Sequence, residues 1–221
     1  MDHFSLQVLS TQHADLVSKL RIEAYSRQYG DRADLSRLQW NSNDERYLNI
    51  GLFRESPEET TTLVSTLRLA YLKRPIDFYK VVLLKHDPLK FQLPLVALGR
   101  GATAPENHGQ GLHGILRRAG LEISKQAGAK SVVGTMEEGS LRLKQMAEIG
   151  YEFSKNEEPW GGYLKNERPI VVGILHANRF ESAREILAQR FRERNMTLKD
   201  GIDYQNAAEK LRSARSFEDD L

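Results

Sequence analysis

The sequence predicts an α/β fold of the α+β kind, in which a mixed β-sheet is flanked by helices. Three observations lead there. Segments that alternate apolar and polar residues, the half-buried strand pattern, are interleaved with segments of helical period. The apolar stretch FQLPLVALGRGATA (91–104) runs through a glycine-rich turn, PENHGQGLHG, directly into a helix. A second apolar strand, KSVVGTM (130–136), follows that helix, so the two strands are expected to be parallel neighbours.

In chain order, FSLQVL (4–9) alternates as a strand does. The segment from Thr11, an N-cap candidate, to Gly30 reads as a helix with Leu16, Val17, Leu20 and Ala24 on its buried face. YLNIGLF (47–53) and TLVSTLRLAYL (62–72) read as strands around RESPEE, whose Pro57 and acidic residues suit an exposed turn. Residues 73–92 read as a long connection. In the helix after the glycine loop, Leu112, Ile115, Leu116, Ala119 and Ile123 share one face, and Arg117, Arg118 and Lys125 are expected to point away. SLRLKQMAEIG (140–150) is a short helix with Gly150 at its C-terminal end. PIVVGILHA (169–177) is a β-branched strand, and 179–194 and 203–215 read as charged helices before an acidic tail, SFEDDL.

Composition narrows the function classes. The chain has 221 residues, enough for one domain with an appendage, and 40% hydrophobic with 28% charged residues is ordinary for a globular protein. No apolar run reaches the ~20 residues that span a bilayer. MDHFSLQVLS lacks the basic flank and apolar centre of a secretory signal, so the cytoplasm is the expected location. There is no cysteine, which excludes disulfides, thiolate metal sites and cysteine nucleophiles. A net charge of +2 is too small to indicate nucleic-acid binding. The arginines at 179, 184, 190, 192 and 194 form either a solvated helix face or a docking patch for an acidic partner.

A strand, glycine turn and helix in series make an anion site, because free backbone N–H groups and the positive helix end face one point. Gly109, Gly111 and Gly114 match GxGxxG, yet no acidic residue ends the following strand where a ribose needs one; Glu137 and Glu138 come slightly late. A Walker loop is excluded, since no Lys-Ser or Lys-Thr follows the glycines. A tight turn without a ligand is the remaining alternative. His108 and His113, five residues apart, do not share a helical face, so no metal pair is expected.

The segment resembles the pyrophosphate-binding motif of the GNAT superfamily, the Gcn5-related N-acyltransferases, written Q/R-x-x-G-x-G/A between the fourth strand and the third major helix. Pro105 and Glu106 precede it, and Gly111 stands at the first obligatory glycine. His108 replaces the usual Gln or Arg and His113 the second small residue, which suits a single-phosphate site such as phosphopantetheine. The resemblance runs over residues 4–178 and implies a mixed sheet of about seven strands, splayed at strands 4 and 5. It divides the chain into a core, 1–178, and a helical C-terminal extension, 179–221. The donor would be held by Asn107, His108, Gly109, Gln110, Gly111, Leu112, His113 and Gly114.

Within the superfamily the N-terminal half looks most like the acyl-homoserine lactone synthases and long-chain N-acyl amino acid synthases. Arg21 in the first helix, Trp40 and Asp44, Arg68 on the third strand and Arg100 on the fourth correspond to that branch's acceptor framework. Gly99 replaces a serine, and Ala97 stands where the branch carries a glutamate. An arginine interrupting an apolar strand needs a carboxylate, so Asp44 is expected to pair with one of these guanidinium groups.

The resemblance implies acyl transfer from a phosphopantetheine thioester, on acyl carrier protein or coenzyme A, to the amine of a small molecule such as an amino acid, with no tightly bound cofactor. A backbone N–H near Gly101 and Ala102 would polarise the carbonyl, and Glu137 or Glu138 would take the ammonium proton. Arg117 and Arg118, beside the loop, would meet an acidic carrier. An acetyl-coenzyme A-dependent acetyltransferase and a non-catalytic acyl-ligand-binding domain are the alternatives.

Overall fold

A computed structural model of the chain describes residues 2–55, 61–82, 91–155, 162, 164, 169–194 and 196–214. Eight strands form one sheet in the order β6-β7-β5-β4-β3-β2-β1-β8: β1 (His3–Leu9), β2 (Leu48–Glu55), β3 (Thr61–Leu72), β4 (Leu95–Thr103), β5 (Ser131–Glu137), β6 (Glu152–Lys155), β7 (Ile170–His176) and β8 (Thr197–Asp200). The helices are α1 (Ala14–Tyr29), α2 (Ser42–Arg46), α3 (Pro75–Val82), α4 (Leu112–Gln126), α5 (Leu141–Glu148), α6 (Phe180–Arg192) and α7 (Tyr204–Ser213). The expected turn at Pro57 and the acidic tail lie outside the described residues.

Strands β1 to β4 are an antiparallel meander, α4 crosses over to make β5 parallel to β4, and β5, β7 and β6 pair antiparallel. The pleat sends alternate side chains to opposite faces. Val96 and Leu98 of β4 join one core with α4, α6 and α7, whereas Leu95 and Ala97 join a second core with α1 and α3. Gly30, at φ +55°, ends α1, and Gly150, at φ +93°, turns the chain after α5.

The chain differs from its sequence reading in several places. Ser10, rather than Thr11, exchanges hydrogen bonds with His13 at the entry to α1. Leu16 is 47% exposed, and Arg21 takes its place on the buried face beside Val17, Ala24 and Tyr25, because it must reach a carboxylate beneath the helix. The connection 73–92 contains α3, opened by Pro75, whose missing N–H is not needed in a first turn. An eighth strand, β8, pairs parallel to β1 within the segment expected to be helical. Arg117 is 2% exposed rather than pointing to solvent. The reading treated α4 as one-sided, but Tyr151, α6 and α7 enclose it on further sides.

No helix among the described residues is long and apolar enough to cross a membrane. The C-terminal segment packs as core. Leu211 of α7 is fully buried in the same cluster as Leu116 of α4. Leu211→Ala should cost about 2–5 kcal/mol in urea denaturation, with tryptophan fluorescence and far-UV circular dichroism still tracing one transition. A separate early transition would show that this segment folds apart from the rest.

Candidate functional site

Strand β4 carries the local irregularity from which the site is built. Its pairing with β3 shifts register so that Arg68 faces Gly99 and Thr66 faces Ala102, leaving Arg100 and Gly101 as a bulge. Arg100 takes a left-handed conformation at φ +54°, unusual for a residue with a side chain. On its other edge β4 pairs with β5 only at Leu95/Ser131, Val96/Val132 and Ala97/Val133. Both strands continue beyond that point, so a cleft opens between them.

The glycine loop closes one end of this cleft. A single 3₁₀ turn over Pro105–Asn107 leads through Gly109, at φ +79°, and Gly111, at φ +78°, into α4. A side chain at either glycine would strain the backbone. Among the described residues the amides of Gly109, Gly111, Leu112 and His113 find no hydrogen-bond acceptor, so the first turn of α4 presents unsatisfied donors and its positive end together. His108 bonds through Nε2 to the Thr103 carbonyl at 2.9 Å and ties the loop to β4. Asn107 is buried and bonds to Gln110, yet its Oδ1 has no partner.

A cavity of about 610 Å³ lies against the loop, bounded by β4 residues Gly101–Thr103, by α5 and by the end of α6. Arg117, Arg142, Lys144, Arg190 and Arg194 all line it; among the described residues Glu148 is the one acid there, already bound by Arg190 at 2.7 Å. Arg194 donates to the Gly109 carbonyl at 2.6 Å, and its Nε lies 3.1 Å from where a β-carbon on Gly111 would stand. His113 packs its ring on Gly101 and bonds through Nε2 to Arg142 at 2.7 Å. Burial, and then the charges of Arg142 and Arg117, hold its imidazole pKa well below 6.5, so it is neutral at physiological pH.

On the opposite face of the sheet, Arg21 grips Asp44 with two hydrogen bonds of 2.9 Å and reaches Asn49 Oδ1 at 3.2 Å, all out of contact with water. Arg68 shares the same carboxylate at 3.4 Å and lies over the Tyr47 ring, 5.2 Å from its centroid. Burial raises the Asp44 pKa, but Arg21 first, then the charges of Arg68 and Arg100, outweigh it and the net shift is downward. Burial, with Arg100 and Arg21 nearby, lowers Arg68 to about 10. Arg68 and Arg100 line one small pocket of about 80 Å³ with Gly134 and Thr135. Glu137 lines a neighbouring pocket with Tyr25, Gly101 and Arg142, and is ion-paired to Arg32 at 2.8 Å.

The structure thus brings most of the expected residues to one cleft. Gly101, Ala102, Asn107, His108, Gly109, Gly111, Leu112, His113 and Gly114 share the large cavity; Gln110 bonds to Asn107 beside it. Trp40 packs against the second core, and Glu138 pairs with Lys155 outside these pockets. Arg117 cannot meet a carrier at the surface, since it is buried; Arg118 is half-buried on α4. The sequence reading missed Tyr25, whose hydroxyl donates to the Gly101 carbonyl at 3.1 Å, and also Arg32, Arg142 and the loop contact of Arg194. No spacing signal could have revealed them, because each reaches the site from a distant element.

The Arg21–Asp44 pair gives a direct test. Asp44→Asn leaves Arg21 buried without a counter-charge and should cost about 3–5 kcal/mol. Because folding lowers this carboxyl pKa, its stabilisation is present above the ordinary value of 3.8 and is lost as pH falls through the lower folded value. The difference between wild type and Asp44→Asn in urea melts should therefore shrink below pH 3.8. A gap that stays constant into acid would remove the carboxylate from this role.

No family model matches the chain, and no curated protein does. The acyl-homoserine lactone synthase LasI superposes with a TM-score of 0.57 at 15% identity, over 83% of this chain and 95% of its own. FeeM, an N-acyl amino acid synthase from uncultured soil microbes, gives 0.56 at 13% identity, over 86% and 99%. A putative phosphinothricin N-acetyltransferase gives 0.54 at 11% identity, over 79% and 98%. These likenesses establish the fold: an open mixed α/β sheet of the GNAT type.

Proposed function

We propose that the chain is an N-acyltransferase that moves an acyl group from a phosphopantetheine thioester to the amine of a small molecule, with an amino acid as the favoured class of acceptor. The parting of β4 and β5 carries this reading. It opens a single cleft with the phosphate-type loop on one side and an arginine-lined pocket on the other. Similarity in fold to synthases and acetyltransferases supports the same reaction class.

In this reading the donor phosphate meets the free amides of Gly109, Gly111, Leu112 and His113, and pantetheine runs along the unpaired edge of β4. The thioester carbonyl lies by the bulge, where a backbone N–H of Gly101 or Ala102 takes up the charge of the tetrahedral intermediate. The amine attacks the carbonyl carbon, its proton passes through water to Glu137, which lines the pocket beside Gly101, and the C–S bond breaks to release the phosphopantetheine thiolate. Arg68 shares its one carboxylate with Arg21, so it retains donors for an acceptor carboxylate.

Acyl-coenzyme A and acyl carrier protein both supply such a donor, in the cytoplasm; for a carrier, Arg118 is the remaining candidate contact beside the loop. The division into a core of 1–178 and an extension of 179–221 fits a transfer machinery whose donor cavity is walled by Arg190 and Arg194.

Expression in a bacterial host should produce a new N-acyl amine, detected by mass spectrometry of lipid extracts. Gly111→Val, which strains the loop at φ +78° and crowds Arg194, should reduce that product by at least about tenfold. An extract unchanged by the wild-type protein, or a product indifferent to Gly111→Val, would contradict the assignment.

A further inference from the structure

The floor of the large cavity holds two guanidinium groups with no counter-charge among the described residues. Arg117 is 2% exposed, and its hydrogen bond goes to the Tyr151 hydroxyl at 2.8 Å, with the Tyr151 ring 5.4 Å from its carbon Cζ. Arg142 bonds to His113 Nε2 at 2.7 Å. The Nε atoms of both arginines are buried and have no acceptor among the described residues. No carboxylate among those residues pairs with either, although both line the cavity.

Two other shielded arginines also have an unpartnered Nε but, unlike these, hold a carboxylate. Arg21 holds Asp44, and Arg184 lies between Glu122 and Glu181. A buried guanidinium such as Arg117 without an anion is costly, and the charge of half-buried Arg142 nearby adds to that cost. The histidine between them adds no charge. It is neutral, so Nε2 accepts from Arg142 and Nδ1 carries the proton, which fixes the Arg142 side chain toward the cavity floor.

We propose that Arg117, held by Tyr151, and Arg142, held by His113, form a shielded subsite for one compact oxyanion, a phosphoryl or carboxylate group carried by the ligand of this cavity. It extends the donor reading of the cavity but uses different atoms from the loop: side-chain N–H groups from the second turn of α4 and from α5, rather than the amides of Gly109, Gly111, Leu112 and His113. A phosphoryl group would come from the donor's own phosphates. A carboxylate would come from an acyl chain that bears one, because Arg142 also lines the small pocket of Glu137 and Thr135, away from the loop.

Titration of the full-length protein with inorganic phosphate and with succinate, read by calorimetry and thermal melting, separates these cases. At least one probe should bind saturably and raise the melting temperature. Arg117→Met and Arg142→Gln should each weaken that binding tenfold or more, while Gly111→Val should keep it. Ligand-free Arg117→Met should melt no lower than wild type, since it removes an unpaired buried charge; a purely structural arginine would give a lower melt. Phosphate alone binding assigns the subsite to the donor's phosphate, and succinate alone to an acyl carboxylate. Binding of neither probe, or binding that survives both arginine variants, overturns the subsite. Loss in Gly111→Val with retention in both arginine variants also overturns it, and leaves the donor loop standing.

Discussion

Strands β4 and β5 hydrogen-bond through three residue pairs and then separate, and the rest of the site is arranged around that parting. Parallel neighbours normally stay paired, because each unpaired backbone group left in the interior is expensive. Here the divergence is held open from both sides. The bulge at Arg100 and Gly101 turns β4 out of register with β3, the Tyr25 hydroxyl takes up the Gly101 carbonyl, and the His113 ring packs against the same glycine. Gly101 has no space for a side chain because that ring fills it. The cleft is therefore a product of packing by α1 and α4, rather than a gap left by poor strand pairing.

Charge is distributed around the cleft in a way that separates its two sides. On the α1 side, Asp44 is shared by Arg21 and Arg68 and is fully enclosed, which makes the pair a rigid support for the pocket wall. On the α4 side, five cationic side chains face one acid among the described residues, and the helix end adds its own positive field. In the first arrangement the carboxylate and guanidinium charges are paired within the protein. The second has the electrostatics of a site completed by an anionic ligand.

Much of this was readable from local patterns. The strands at 4–9, 47–53 and 62–72 follow from alternation, and α4 follows from its glycine entry and apolar stripe. Asp44 does pair within the expected arginine framework, but its hydrogen bonds go to Arg21 of α1 and Arg68 of β3. The cost of a charge in an apolar strand points instead to Arg100 of β4. What the sequence hid is long-range. Arg117 looked solvent-facing because nothing local announces that Tyr151, α6 and α7 close around α4. Leu16 and Arg21 exchanged roles because a charge 23 residues away outweighed the apolar stripe. Strand β8 escaped notice since four residues, TLKD, gain strand form only by pairing with β1. Only α3 left a signal that went unused, in Pro75 followed by Asp77 and an apolar run.

Hydrogen–deuterium exchange with and without coenzyme A tests most directly whether the parted strands and the loop are one donor site. The amides of Gly101–Thr103 and of Gly109–His113 should slow together on adding ligand, while those of β1 and β2 stay unchanged. Protection confined to the loop, or absent from both segments, would contradict a donor bound along the open edge of β4.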